Sequence, residues 1–258
     1  MEEEIKCSTC SAEPVNSINV RRAIEKLDEL YSRNDLTAAG ETLAFWANEA
    51  RGLNDSCGLL SILNETLGYC RRVNDRERAL STADEIIGLI KERKGQALSV
   101  ATILINLATT LKHFGEAERG LPFFETAEKT YEKYCLDESY EYAALLNNRA
   151  ASYIDLERLD EAEEDYLKAF DILNKLQQPL EIAETYANLA EIVARKDLNA
   201  ADDYLDKCWE TLTAENLIHD GNYAFTLTKC APAFSHLGRE DEGEVLKAVA
   251  KEIYDERN

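Results

Sequence analysis

The sequence predicts an all-α chain, a solenoid of about six antiparallel helix hairpins. Three observations carry that prediction. Apolar residues recur at i, i+3, i+4 and i+7, as in AIEKLDELY (Ala23 to Tyr31) and AEEDYLKAFDIL (Ala162 to Leu173). Alternating runs that would put one face of a strand on a core are absent. The periodic pattern breaks every dozen residues or so, and only four prolines and 11 glycines punctuate the chain, which favours short paired helices over one long coil.

The breaks are themselves periodic. The first hairpin reads from Ala23 to Trp46, with Leu27, Asn34, Ala39 and Trp46 at its marker positions. The second places Leu67, Asn74, Ala79 and Ile86 there. The third, from Ala101, lies over the fourth, from Ala143, without a gap and at a constant offset of 42. Asn106 falls on Asn148, Ala108 on Ala150, Leu111 on Tyr153, Phe124 on Tyr166 and Ala127 on Ala169. In the fifth, Asn188 and Ala190 keep the register, and after one deletion in the turn so do Ala201 and Cys208. The sixth supplies Ala231, Gly238, Gly243 and Ala250. Cys70 stands where a large residue is expected in the second copy, and Glu157 replaces the turn glycine in the fourth. Packing explains the pattern. Ala108, Ala150, Ala190 and Ala231 let the two helices of a hairpin approach, and Ala127, Ala169 and Ala250 let each pair nest on the next. Phe124, Tyr131 and Tyr166 fill the space between pairs.

Small-x2-large on a first helix, a Gly or Asn turn, then Ala-x3-aromatic-x2-Ala on a second helix resembles the tetratricopeptide repeat (TPR). The LNNRA and INLAT forms and the spacing near 42 resemble its kinesin-light-chain variety. The resemblance covers the chain from about residue 18. It implies one right-handed superhelical TPR-like domain over residues 18–258, after a polar leader at residues 1–17. It also implies a concave groove lined by the first helices, a non-enzymatic role and a protein or peptide partner.

Composition bounds the partner. With 50 acidic against 29 basic residues, the formal charge is -21. Such a chain lacks the clustered Lys and Arg that nucleic acid or an anionic membrane surface requires. No stretch approaches a membrane span, and three glutamates stand where a signal peptide would be basic, so a cytoplasmic location is expected. The seven cysteines are scattered and read as free thiols.

Under the family geometry, groove positions include Asn64, Arg71 and Arg72 in the second copy and Asn106, Thr109, Lys112 and His113 in the third. They include Asn147 and Asn148 in the fourth, Asn188 and Arg195 in the fifth, and Lys229 in the sixth. Asn106, Asn148 and Asn188 form a row continued by Lys229, with Asn64 one residue out of register. A primary amide both donates and accepts. Two roles fit: holding an extended peptide backbone, or tying neighbouring helices together. Arg71, Arg72, Lys112, Arg195 and Lys229 put positive charge in an acidic molecule, which suits an acidic residue or a C-terminal carboxylate. The carboxylate clamp of heat-shock cochaperones is not implied, because Ala144, Glu184 and Phe225 occupy the position where it needs a lysine. The alternatives are a scaffold or homo-oligomer using Phe45, Trp46 or Phe225, and a peptide-sensing regulatory subunit whose short leader has no room for a DNA-binding domain.

No cofactor, metal site or catalytic set is expected. Cys7-x2-Cys10 has the spacing of a redox pair or of half a zinc site, with no second pair to complete the latter, and reads as incidental. His113, His219 and His236 have no nucleophile at a recognisable spacing, and His113 and His236 suit the C-terminal ends of first helices. The acidic run from Asp160 to Asp165 suits the start of a second helix. Ala150→Leu should overpack the stack and cost on the order of 1–3 kcal/mol, read as a lowered thermal midpoint. An unchanged melting curve would refute this register.

Overall fold

The computed structural model of the chain describes residues 17–92, 98–195 and 198–255. The expected leader, with Cys7 and Cys10, lies outside the described residues except for Ser17. Among the described residues there are twelve α-helices and no strand. They are α1 (Val20–Ser32), α2 (Leu36–Gly52), α3 (Ser56–Val73), α4 (Arg76–Lys91), α5 (Leu98–His113) and α6 (Ala117–Lys133). Then come α7 (Tyr140–Asp155), α8 (Leu159–Lys175), α9 (Pro179–Ala194), α10 (Leu198–Leu212), α11 (Gly221–His236) and α12 (Glu240–Asp255). None of them is long and apolar enough to cross a membrane.

The chain divides into two compact units, Met1–Leu136 and Asp137–Asn258. In the first, α1 pairs with α2, α3 with α4 and α5 with α6, and the hairpins stack through α3 against α1 and α2 and α5 against α3 and α4. In the second, α7 pairs with α8, α9 with α10 and α11 with α12, and α9 packs against both α8 and α11.

Small residues set the separation within a hairpin. A Cβ at Gly120 of α6 would sit 3.0 Å from the Ala108 carbonyl oxygen of α5, and one at Gly243 of α12 would sit 3.0 Å from the Ala231 carbonyl of α11. The marker alanines Ala108, Ala150, Ala190 and Ala231 are fully buried, as are Phe124 and Phe234, with Tyr166 nearly so.

The turns repeat as strictly as the helices. A left-handed residue ends the first helix at Asn34, Asn74, Gly115, Glu157 and Gly238. Another separates hairpins at Asn54, Cys135 and Gln177. Aspartates then start the following helices: Asp35, Asp55 and Asp75 each accept from the backbone N–H three residues on. Glycine and asparagine tolerate the left-handed region, whereas glutamate does so at a cost.

One hairpin departs from an apolar interior. Arg149 of α7 forks onto Asp165 of α8, with Nε donating to Oδ2 at 2.6 Å and Nη2 to Oδ1 at 2.8 Å. Arg149 and Asp165 are only 6% and 3% exposed. In the repeat register the third copy has Leu107 and Phe123 at these places and the fifth has Leu189 and Tyr204. A buried ion pair thus replaces an apolar one, and the desolvation of two charges is offset only while both are present.

Two outcomes test this description. Glu157→Gly should raise stability by about 0.5–1 kcal/mol, because relief of left-handed strain exceeds the added freedom of the unfolded chain. Arg149→Leu and Asp165→Phe alone should each cost about 3–5 kcal/mol, while the double variant returns near or above the parent. Chemical denaturation of the four proteins measures the cycle, and additive losses would contradict it.

Candidate functional site

In the first unit, α1, α3 and α5 enclose a cavity of about 310 Å³, lined by Val20 and Ile24, by Cys57, Leu60, Ser61, Asn64 and Glu65, and by Ser99, Val100, Thr102 and Ile103. Ser61, Asn64, Glu65 and Thr102 stand at groove positions of the repeat pattern; the apolar lining was not singled out from sequence. The signal available for it was the helical spacing of Cys57, Leu60, Ser61 and Asn64, which continues along α3 to Gly68, Arg71 and Arg72. The stripe from Cys57 to Arg72 spans roughly 22 Å of helix, the reach of six or seven extended residues.

The structure brings several of the sequence-predicted side chains together here. Asn106 Nδ2 donates to Asn64 Oδ1 at 2.9 Å, so the amide that stood one residue out of register closes a contact between α5 and α3. Asn64 Nδ2 in turn donates to Glu65 Oε1 at 3.2 Å. Arg71 lies part-buried, donating to the Asn106 carbonyl at 3.3 Å and to Thr110 Oγ1. Burial holds its pKa below the ordinary guanidinium value. Arg72 is exposed and stacks over the Tyr31 ring at 5.0 Å. Neither arginine has an ion-pair partner among the described residues. Thr109 turns back onto its own helix, donating to the Ile105 carbonyl at 2.8 Å. Lys112 and His113 end α5, and burial followed by the Arg71 and Lys112 charges keeps the His113 pKa below the usual imidazole value. The Arg71 and Lys112 charges thus both reach His113, while the Glu65 carboxylate acts on Arg71.

Gly68 is the open point of this stripe. A Cβ built there meets only Arg71 Nη2, at 3.9 Å. The fold leaves room for alanine at that position, although glycine inside a helix costs roughly 0.5–1 kcal/mol relative to alanine.

In the second unit, the corresponding face of α7, α9 and α11 is tied internally. Asn148 Nδ2 donates to the Ala144 carbonyl of its own helix at 2.7 Å. Asn147 Nδ2 reaches Thr185 Oγ1 of α9 at 3.5 Å, and its buried Oδ1 accepts no hydrogen bond among the described residues. Asn188 is half-buried, with no side-chain hydrogen bond among the described residues. Arg195 is exposed at the C-cap of α9. Three carboxylates of α9 reach its neighbours. Glu181 accepts from the Tyr140 hydroxyl at 2.9 Å, Glu184 pairs with Lys229, and Glu191 meets His236 Nδ1 at 3.0 Å. Burial and then the Glu181 hydrogen bond push the Tyr140 phenol up to about 12. Lys229 is thus paired with a carboxylate, whereas Arg71 and Arg72 form no ion pair among the described residues. Among the described residues no group of three or more His, Cys, Asp and Glu side chains converges as a metal site.

Residues 99–175 match the family model of the tetratricopeptide repeat. No curated protein sequence matches the chain. Among solved structures, BtubC (BKLC) from P. vanneervenii is 19% identical, with 93% of this chain and 92% of that one covered and a TM-score of 0.59. A putative kinesin light chain from Podosopora anserina, built of nearly identical TPR-like repeats, is 15% identical, with 75% and 94% covered and a TM-score of 0.55. NprR, solved in complex with its cognate peptide NprX, is 16% identical, with 91% and 68% covered and a TM-score of 0.59. Residues 99–175 thus match the tetratricopeptide repeat, and the fold of the chain is similar to that of these repeat structures.

Proposed function

We propose that the chain is a non-enzymatic interaction module that binds a short, extended, acidic peptide along the α1–α3–α5 face of its first unit. The observation that carries this reading is the pair of arginines, Arg71 and Arg72, with no ion-pair partner among the described residues in a chain of net charge -21. Such cations at the end of a groove are matched by a carboxylate brought in from outside. The Asn106 amide accepts or donates to a peptide backbone beside them, and the open space at Gly68 admits that backbone. The α1–α3–α5 cavity receives an apolar side chain at the other end. That NprR was solved with a peptide supports the same class of ligand here.

Fluorescence anisotropy with labelled heptapeptides tests the reading. The probes carry an apolar residue near one end and Asp or Glu near the other, with Asn and Gln versions as controls. Acidic probes should bind better than their amide versions, and increasingly so as salt is lowered. Arg71→Gln should weaken them roughly tenfold, as expected for loss of a charge-assisted contact, and Asn106→Ala should weaken acidic and amide probes alike. Gly68→Ala should raise the melting temperature while weakening binding. Equal affinity for acidic and amide probes, or binding untouched by all three substitutions, would remove the α3 stripe from the function.

A further inference from the structure

The first hairpin has a second, unrelated opening. On the side of α1 and α2 away from the peptide face, a cleft of about 770 Å³ is lined by residues that include Arg22, Lys26, Glu41, Thr42, Phe45 and Trp46. Phe45 is 56% exposed, and its ring meets Trp46 edge-on, with centroids 5.4 Å apart.

The repeat shows what such a cleft receives. The left-handed turns at Asn34 and Asn74 set the register between the first two hairpins. In that register Lys26, Ala38, Glu41, Thr42 and Phe45 correspond to Thr66, Arg78, Ser81, Thr82 and Glu85. Those five residues of α3 and α4 face Leu43, Ala47 and Arg51 of α2 across a smaller space of about 250 Å³. Arg51 closes it by forking onto Glu85, with Nε at 2.9 Å and Nη2 at 2.7 Å. The same cleft, one hairpin on, is therefore filled by a helix. Here the equivalent of Glu85 is an exposed phenylalanine, Phe45.

We propose that this cleft is a homodimer interface, in which α2 of each copy, led by Phe45, enters the α1–α2 cleft of the other. Charge complementarity selects a second copy as the occupant. Arg22 of α1 and Glu41 of α2 stand on the lining with no ion-pair partner among the described residues, whereas Glu25 is held by Arg21 and Glu29 by Lys26 and Arg33. A two-fold contact brings Arg22 to the second copy's Glu41 twice over, so one surface satisfies both charges. The interface is separate from the α1–α3–α5 face, and the proposal stands whether or not that face binds peptide.

Sedimentation and light scattering of the full chain across a concentration series test it. The expected result is a monomer–dimer equilibrium with no larger species. Phe45→Glu should give a folded monomer whose melting curve matches that of the parent at concentrations where the parent is also monomeric, because the side chain is exposed. Arg22→Glu and Glu41→Arg should each raise the dissociation constant roughly tenfold, and the chain carrying both should recover the parent value. A chain that is monomeric at all concentrations would overturn the proposal. Open-ended growth, or failure of the double exchange to restore pairing, would also overturn it by showing a contact that is not two-fold.

Discussion

The close approach of two helix backbones at a small residue governs the architecture. Where α6 crosses α5, one extra carbon at Gly120 would press on the Ala108 carbonyl, and α12 crosses α11 at Gly243 in the same way. Contact this tight removes the space that large side chains would otherwise occupy, so the bulky residues move to the gaps between hairpins. Phe124, Tyr166 and Phe234 are the result. It also orients each first helix, since the edge that meets its partner must be the small one. The edge turned outward is then free to carry polar groups.

The α3 stripe depends on that freedom. A helix held by Leu60, Leu63, Leu67 and Cys70 on its buried sides has Asn64, Gly68, Arg71 and Arg72 left over at helical spacing. Their placement follows from the packing of the rest, and the aspartate caps and left-handed turns keep the register constant from hairpin to hairpin. The two units use the same edge differently. In the first, the amides of Asn64 and Asn106 meet each other and the arginines form no ion pair among the described residues. In the second, the carboxylates of α9 bind α7 and α11 and absorb the charge of Lys229.

Much of this was legible in the sequence, because it is written in short periods. Helix, turn, small residue and aromatic all recur at 40 to 42 residues, and each has a local cause. The pairing of side chains was less legible. Glu184 meets Lys229 and Glu191 meets His236 across 45 positions, a separation that depends on how far each helix is rotated about its own axis. Arg71 and Arg72 are neighbours of the same charge in the sequence, yet one is drawn inward to the Asn106 carbonyl and the other lies out over Tyr31. The paired asparagines of the fourth copy show the same limit. Asn148 belongs to the repeating row and bonds to its own helix, while Asn147, outside the row, carries a buried oxygen with no partner among the described residues. Periodicity separates the two positions but assigns neither a neighbour.

The Arg149–Asp165 pair bears on how such an array can change. Tandem repeats are readily shuffled when hairpins exchange segments, and the turn between two helices is a natural breakpoint. Here that turn is Glu157, with Arg149 before it and Asp165 after it. A crossover at this turn with either neighbouring copy would set a lone charge against Leu107, Phe123, Leu189 or Tyr204 inside the stack. The two helices of the fourth hairpin must be inherited together, which makes this hairpin a fixed block in an otherwise interchangeable series.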